Sequence, residues 1–368
     1  MRKEAIMRTT VPRKQLADAL GHVERIIPSR SSNPSLSLLQ IDLNGKSMTL
    51  SGSNLDIDIE AKIPADVESE GRYALPAHVF GQVVRALPGE LVELTFGDNE
   101  LEIVSGTYGT KLQLASTSSV TPLEFPLSYA GSLDAQKLSS ALSHVRYAAA
   151  VAEYQAIFRG VKLELDDKKT RAVATDGFRL AYYNLPEASG LEANVVIPSR
   201  SVEEIIKLLG DGEVKLSIDN GQLSFANEPF RANVKLMEGT FPDYNRVIPS
   251  TFPINVSVNS KQLAEAVSRV ALMADKSANN RVDMFVKDGN LQITAEGSYG
   301  RSQEALEVQQ EGKESEMALA YNAKYLTDAL VAAEGDMQLR FSGTTSPSVF
   351  SSLKDPNYLA MVVPLRTG

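Results

Sequence analysis

"RKQLADALGHV" (13–23), "AQKLSSALSHV" (135–145) and "SKQLAEAVSRV" (260–270) superpose residue for residue. Their leading leucines, Leu16, Leu138 and Leu263, recur about every 120 residues, too long a period for a solenoid unit and right for a whole domain. Each copy carries apolar residues at i, i+3, i+4 and i+7: Leu16, Ala19, Leu20, Val23; Leu138, Ala141, Leu142, Val145; Leu263, Ala266, Val267, Val270. That spacing puts one apolar stripe on a helix. A second trio follows: "LPAHVFGQVVRAL" (75–87), "IPSRSVEEIIKLL" (197–209) and "YNAKYLTDALVAA" (321–333). Its stripes are Phe80, Val83, Val84, Leu87; Val202, Ile205, Ile206, Leu209; and Leu326, Ala329, Leu330, Ala333. Pro76 and Pro198 fall where a helix start tolerates proline. A glycine, an acid and an alternating strand follow each time: "GELVELTF" (89–96), "GEVKLSI" (212–218), "GDMQLRF" (335–341).

Strands fill the intervals between the helices. Asn44–Gly45 and Asp288–Gly289, each flanked by alternating residues, predict type I′ hairpins, and "LELDDKKTRAVA" is their counterpart in the middle repeat. The fold class is therefore α+β: three tandem repeats of a two-helix, antiparallel-sheet domain. Turn-rich "PLSYAGS" (126–132) and "VIPSTFP" (247–253) set the domains at 1–128, 129–251 and 252–368.

The 368 residues are 43% hydrophobic and 23% charged, an ordinary globular balance. Without cysteine there is no disulfide, thiolate nucleophile or Cys-ligated zinc. No apolar run approaches the roughly 18–20 residues of a membrane span, and the basic start lacks the apolar core of a secretory signal. A cytoplasmic protein is expected. The net charge of −9 argues against phosphate binding unless charge is segregated. It is segregated: the helical segments and flanks 11–30, 75–88, 134–159, 198–210, 259–281 and 321–334 together carry +5, leaving −14 elsewhere. Arg13, Lys14, Arg25, Lys137, Arg146, Lys207, Lys261 and Arg269 would form a basic helical surface for a polyanion.

Enzyme signatures are weak. "NGKS" (44–47) has Gln40 where a P-loop needs glycine. Of three histidines (His22, His78, His144), two occupy the same slot of successive repeats, which marks scaffold. Asp56 and Asp58 read as a solvated strand face, and Ser351 with Lys354 lacks the companion motifs of a Ser–Lys hydrolase. No catalytic residue, metal site or cofactor is expected. "VATDGFRLAYYNLP" (173–186) invites a catalytic reading of Asp176, but Asp–Gly favours a turn. "TDG" (175–177) aligns with Ser51–Gly52–Ser53 and Ala295–Glu296–Gly297, all read as strand bends. "TDGFRL", "FPDYNRVIP" (241–249) and "VVPLRTG" (362–368) have no counterpart in the other repeats.

These three stretches, with the triplication, resemble the β subunits of bacterial DNA polymerase III, the sliding-clamp family, over nearly the whole chain. The resemblance implies a non-enzymatic homodimer closing six domains around double-stranded DNA. It implies as partners the polymerase III catalytic subunit, other polymerases, a clamp loader, and mismatch-repair and ligase-type proteins. Their peptides would enter a cleft between the second and third domains made of Phe158, Thr175, Gly177, Phe178, Arg179, Leu180, Pro242, Arg246, Val247, Val363, Pro364, Leu365 and Arg366. Arg179, Arg246 and Arg366 would steer acidic peptides. Phe178 departs from the histidine of many members, and Val363 and Leu365 from their methionines. Arg30 matches a DNA-contacting arginine; nothing is carried over at 152–157. Leu112 and Leu114, on an expected edge strand, would pack on Leu272 and Met273 of the other protomer. Met7 resembles the customary start, which makes 1–6 an expected disordered or alternative extension. The competing reading is a multidomain peptide-binding scaffold that does not encircle DNA, with a tandem-domain hydrolase behind it.

Overall fold

The computed structural model describes residues 7–68, 70–151 and 156–366; the expectation for residues 1–6 lies outside them. Six α-helices form among the described residues: α1 (Arg13–Ile26), α2 (Ala77–Ala86), α3 (Ala135–Arg146), α4 (Ser199–Leu208), α5 (Ser260–Val270) and α6 (Ala323–Val331). The first-helix stripes are fully buried in all three repeats. In the second-helix stripes Val83, Ile206 and Leu209 are only half-buried. Asn259 and Asn322 cap α5 and α6 by accepting from Gln262 N and Lys324 N.

The chain forms two compact units, one reaching to Gln136 and joined by Glu203–Leu236, the other holding Lys137–Val202 and the chain from Met237. Each contains more than one repeat, because the sheets do not stop at repeat boundaries. In the first unit an eight-stranded antiparallel sheet pairs Ile57–Pro64 of the first repeat with Phe230–Lys235 of the middle repeat, Ala232 opposite Ile59. A five-stranded sheet in the same unit ends at Tyr108–Gln113. In the second unit a nine-stranded sheet pairs Arg179–Leu185 of the middle repeat with Tyr358–Val362 of the third, Ala181 opposite Ala360. A four-stranded sheet there ends at Gly300–Glu307.

Ladder register corrects two sequence expectations. Asp288–Gly289 forms its turn with both residues at positive φ (49° and 76°), as type I′ requires. Asn44 instead stays in the ladder opposite Ser47, so the turn is Gly45–Lys46. Register also shifts the middle-repeat alignment, by two residues against the first repeat and by one against the third: Thr175 answers to Ser53 and Glu296, while Ser51, Gly52 and Ala295 remain laddered. Asp176 and Asn54 then do the same job. Each side chain accepts from the backbone N–H two and three residues on, Phe178 and Arg179 for Asp176, Asp56 and Ile57 for Asn54. Gly177 (φ 89°) is matched by Leu55, 68% exposed at φ 76°. A leucine in the left-handed region is strained.

Between α1 and α2 the buried Glu24 carboxylate accepts from Arg85 Nη1 (2.6 Å) and contacts His78 Nδ1 (2.9 Å). A Cβ on Gly81 would stand 2.1 Å from Glu24 Oε2, which explains a glycine inside α2 despite its poor propensity. Burial alone would raise the Glu24 pKa, but the Arg85 and His78 hydrogen bonds outweigh it and hold the carboxyl below its ordinary value.

Two outcomes are expected. Leu55→Gly should stabilise the protein by about 1 kcal/mol in urea denaturation, because glycine adopts this φ without strain. Glu24 binds its proton more weakly folded than unfolded, so its contribution is complete above the ordinary carboxylate pKa and is lost as pH falls through the lowered value. Glu24→Gln should cost about 2 kcal/mol at neutral pH and flatten the acid side of the stability–pH profile, read by thermal melts across pH.

Candidate functional site: an apolar cleft in the second unit

The middle and third repeats contribute to one apolar cluster within the second unit. Val173 and Leu180 come from the hairpin that carries "TDGFRL", Val349, Leu359 and Met361 from the third repeat's strands, and Phe241 and Tyr244 from "FPDYNRV". Ile157, Tyr182, Met237, Ile248 and Phe252 pack around it, half-buried. Phe158 lies edge-on to Phe241 at 6.2 Å between centroids. Gly160 is needed beside it, because a Cβ there would be 2.4 Å from Val196 Cγ1 and 2.6 Å from Met237 Sδ.

The sequence "FPDYNRV" sorts itself by residue type. Phe241 and Tyr244 turn inward, while Pro242, Arg246 and Val247 remain exposed along the 3₁₀ turn Tyr244–Val247. Tyr244 Oη donates to Glu164 Oε2 (2.9 Å) and accepts from Arg171 Nη1 (3.0 Å). Burial pushes its phenol up to about 12, so it stays neutral and anchors the turn.

On the other side the hairpin tip and the tail fit together. Thr175 Oγ1 donates to Arg179 O (2.7 Å) and accepts from Gly177 N (3.1 Å), which leaves Phe178, 54% exposed, pointing outward. Val363 N donates to Phe178 O (2.9 Å), and Leu365 N to Ala320 O (2.7 Å). Val363 and Leu365 are therefore half-buried, Pro364 is buried, and Arg366 is exposed.

Arg179 departs from its expected role. The family resemblance has it steering acidic peptides, yet it is buried and already paired, through Nε with Asp176 Oδ2 (3.0 Å) and through Nη1 with Asp328 Oδ2 on α6 (2.6 Å). Its guanidinium also stacks on the Tyr325 ring at 4.4 Å. Two carboxylates and an aromatic face leave little charge to project, so Arg179 ties the hairpin tip to α6 and thereby positions Phe178. Arg246 is exposed, though its Nε is 2.8 Å from Asp243 Oδ2. Sequence reading named the rim and, of the floor, only Leu180; it missed Val173, Phe241, Tyr244, Val349 and Met361. Continuous apolar runs in "AVA" (172–174) and "YLAMV" (358–362) are the signal that could have found part of it, since such runs read as strands buried on both faces.

The basic helical residues behave unequally. Lys14, Arg25, Arg30, Lys137, Lys207, Lys261 and Arg269 are exposed, Arg13 and Arg146 half-buried. Arg25 pairs with Glu204 (3.6 Å), Lys137 with Glu187 (3.1 Å), Lys207 with Glu204 (2.9 Å) and Arg269 with Glu304 (2.7 Å). Lys14, Arg30 and Lys261 carry no ion pair among the described residues. Leu112 is half-buried on the edge strand Tyr108–Gln113, and Leu114 lies just past its end. Leu272 is 76% exposed beside Met273, in a 3₁₀ turn that packs on the Gly300–Glu307 edge strand.

Arg179→Ala should strand two carboxylates and lower stability by about 3 kcal/mol, while Phe178→Ala leaves the melting temperature nearly unchanged. Thermal denaturation of both variants checks this; an undisturbed Arg179→Ala melt would return Arg179 to the rim.

Family models of the DNA polymerase III β subunit match residues 7–124 (N-terminal domain), 132–243 (central domain) and 245–366 (C-terminal domain). The beta sliding clamp of Caulobacter vibrioides is 30% identical over 379 residues, covering 98% of this chain and 100% of that protein. That of Synechococcus elongatus is 29% identical, at 98% and 99% coverage. Among solved structures, the DNA polymerase sliding clamp of Bacillus subtilis superposes with a TM-score of 0.93 at 25% identity, covering 99% of this chain and 100% of that one. The DNA polymerase III β subunit of Thermotoga maritima gives 0.91 at 26%, with 98% and 100% covered. Three domain models that between them span nearly all of the sequence, in the order in which the repeats occur, leave one assignment: the chain belongs to the DNA polymerase III β subunit family, the non-enzymatic sliding clamps of replication.

Proposed function

We propose that two copies join head to tail into a closed ring of six repeats that slides on double-stranded DNA and tethers partners through the apolar cleft. The observation that carries this reading is the pair of junctions inside the chain. Ile57–Pro64 and Arg179–Leu185 are equivalent strands, and each pairs with the last strand of the following repeat. The third equivalent, Gly300–Glu307, is an edge, and so is Tyr108–Gln113, the last strand of the first repeat. Two copies joined through these edges repeat the internal junction twice more and satisfy both free ladders. Transferring the internal register sets Leu112 opposite Gly300, because Val234 and Val362, its equivalents, face Ile57 and Arg179. Gly300 adjoins Met273, so Leu112 and Leu114 reach Leu272 and Met273. The same register sets Lys111, held by Glu100, across from Arg301, so the ladder carries one like-charge pair.

Domains 1–128, 129–251 and 252–368 would each present two helices to DNA. The contacts are electrostatic and exchangeable, as sliding demands, and Lys14, Arg30 and Lys261 are best placed to make them. The cleft, with Phe158, Phe178, Pro242, Val247, Val363 and Leu365 on its walls over the Leu180–Met361 floor, would take Leu or Phe anchors of short peptides. Arg246 and Arg366 attract their acids. Polymerases, the clamp loader and repair proteins are the partners this predicts, in the cytoplasm; among the described residues no helix is long and apolar enough to cross a membrane.

Protein loaded by its cognate loader on nicked circular duplex should survive a high-salt wash and be lost on linearisation, because topology is indifferent to salt and phosphate binding is not. Loss from both forms alike, with a known clamp retained in parallel, would leave only a peptide-binding scaffold. Replacing Lys14, Arg30 and Lys261 with alanine should flatten the salt dependence of DNA association by about one unit of slope for each phosphate that is no longer neutralised. Lys207→Ala, whose partner charges are already local, should change it little.

A further inference from the structure

The internal junctions share a side-chain device as well as a ladder. At the first, His22 of α1 packs against Phe230 of the neighbouring repeat's last strand, 4.7 Å between ring centroids. At the second, His144 of α3 packs against Tyr358 at 5.6 Å and Tyr183 at 4.8 Å. His22 and His144 hold the same place in the first helix of their repeats, and Phe230 and Tyr358 the same place in the ladder, facing Ala61 and Tyr183. In each case an imidazole from the helix contacts an aromatic ring supplied by the next repeat, the two planes tilted by 58° and 57°.

The third repeat keeps the slot with a different residue. Arg269 of α5 stands where His22 and His144 stand. Its side chain is 55% exposed and is held in a two-point bond by Glu304, Nε to Oε2 at 3.0 Å and Nη2 to Oε1 at 2.7 Å. Glu304 is the ladder equivalent of Tyr183, so Arg269 touches the same strand position that His144 touches. The aromatic slot is present too, at the far end of the chain. Tyr108 begins the free edge strand of the first repeat, in the position of Phe230 and Tyr358, and is 42% exposed. An exposed arginine with a fixed guanidinium and an exposed tyrosine sit on two edges that complement each other.

We infer that Arg269 stacks on the Tyr108 ring of a second copy, the subunit-joining version of the His–aromatic contact, with Glu304 holding the guanidinium flat against it. This rests on the proposed head-to-tail assembly and adds the pair that gives it specificity. An arginine serves here better than a histidine because it is charged at every physiological pH and presents a planar face to an aromatic ring. It also remains soluble in a free monomer, where a bare aromatic–imidazole face would be exposed to water.

The test is a double-mutant cycle on subunit affinity, by sedimentation equilibrium, with Tyr108→Ala, Arg269→Ala and the pair. Each single change should weaken the dimer about tenfold or more, since it removes the stacking at both junctions, and the double should be no worse than the weaker single. Tyr108→Phe and Arg269→His should keep most of the affinity. Tyr108→Trp supplies a reporter in a chain with no tryptophan; its emission should shift on dimerisation, and less so with Arg269→Ala. Additive effects, or singles within twofold of wild type, overturn the pairing. If the wild type dimerises and Leu112→Asp abolishes that while Arg269 and Tyr108 prove indifferent, the pairing falls and the assembly stands. If the wild type is monomeric at all concentrations, both fall.

Discussion

Edge-strand pairing between repeats is the constraint on which the rest of this structure depends. A two-helix, antiparallel-sheet repeat of this length can bury a helix stripe, but among its sheet edges it leaves two that line up with those of the neighbouring repeats and carry unpaired N–H and C=O groups. An open edge is a standing invitation to uncontrolled association. Here two of the three such repeat-to-repeat pairs are closed within the chain, Ile57–Pro64 on Phe230–Lys235 and Arg179–Leu185 on Tyr358–Val362. Side chains reinforce these ladders: Arg231 and Glu60 pair across the first, and the Tyr147–Tyr358 hydroxyl contact of 2.8 Å lies behind the second.

The cleft is a by-product of the second of these junctions. When Arg179–Leu185 meets Tyr358–Val362, the inward faces of both strands become one apolar floor, on which Phe241 and Tyr244 close a third side. The first junction uses the same ladder but lacks anything like "FPDYNRVIP", and its hairpin tip carries Leu55 where the second has Gly177. Equal scaffolds thus differ in function through a few inserted side chains and one backbone conformation. The buried Arg179 illustrates how such a site is held. Its charge is answered by Asp176 and Asp328, and what it supplies to the surface is the placement of Phe178.

Charge likewise depends on position. The helices carry the positive excess that a polyanion needs in a protein of net charge −9. Yet Arg25, Lys137, Lys207 and Arg269 each lean on a neighbouring carboxylate. Such pairing moderates the attraction and suits a protein that must not grip one site. Sequence counts include every lysine equally; only the folded surface distinguishes those already answered.

The sequence by itself determined the triplication, the two helices of each repeat and the faces they bury, because a helix stripe is written locally at a spacing of three and four residues. It also determined the Asp176–Gly177 turn, since an Asx side chain caps the backbone within three residues. Its resemblance to a known family pointed to the rim of the cleft. What only the tertiary structure decided are contacts between residues far apart in the chain: the sheets that run through repeat boundaries, the floor of Val173, Val349 and Met361, and the pairing of Arg179 with Asp328, 149 positions away. A two-residue slip in aligning "TDG" with the first repeat was invisible locally, because it leaves every strand residue on the same face; the ladder's hydrogen bonds, which fix which residue stands opposite which, removed it together with a one-residue slip against the third repeat.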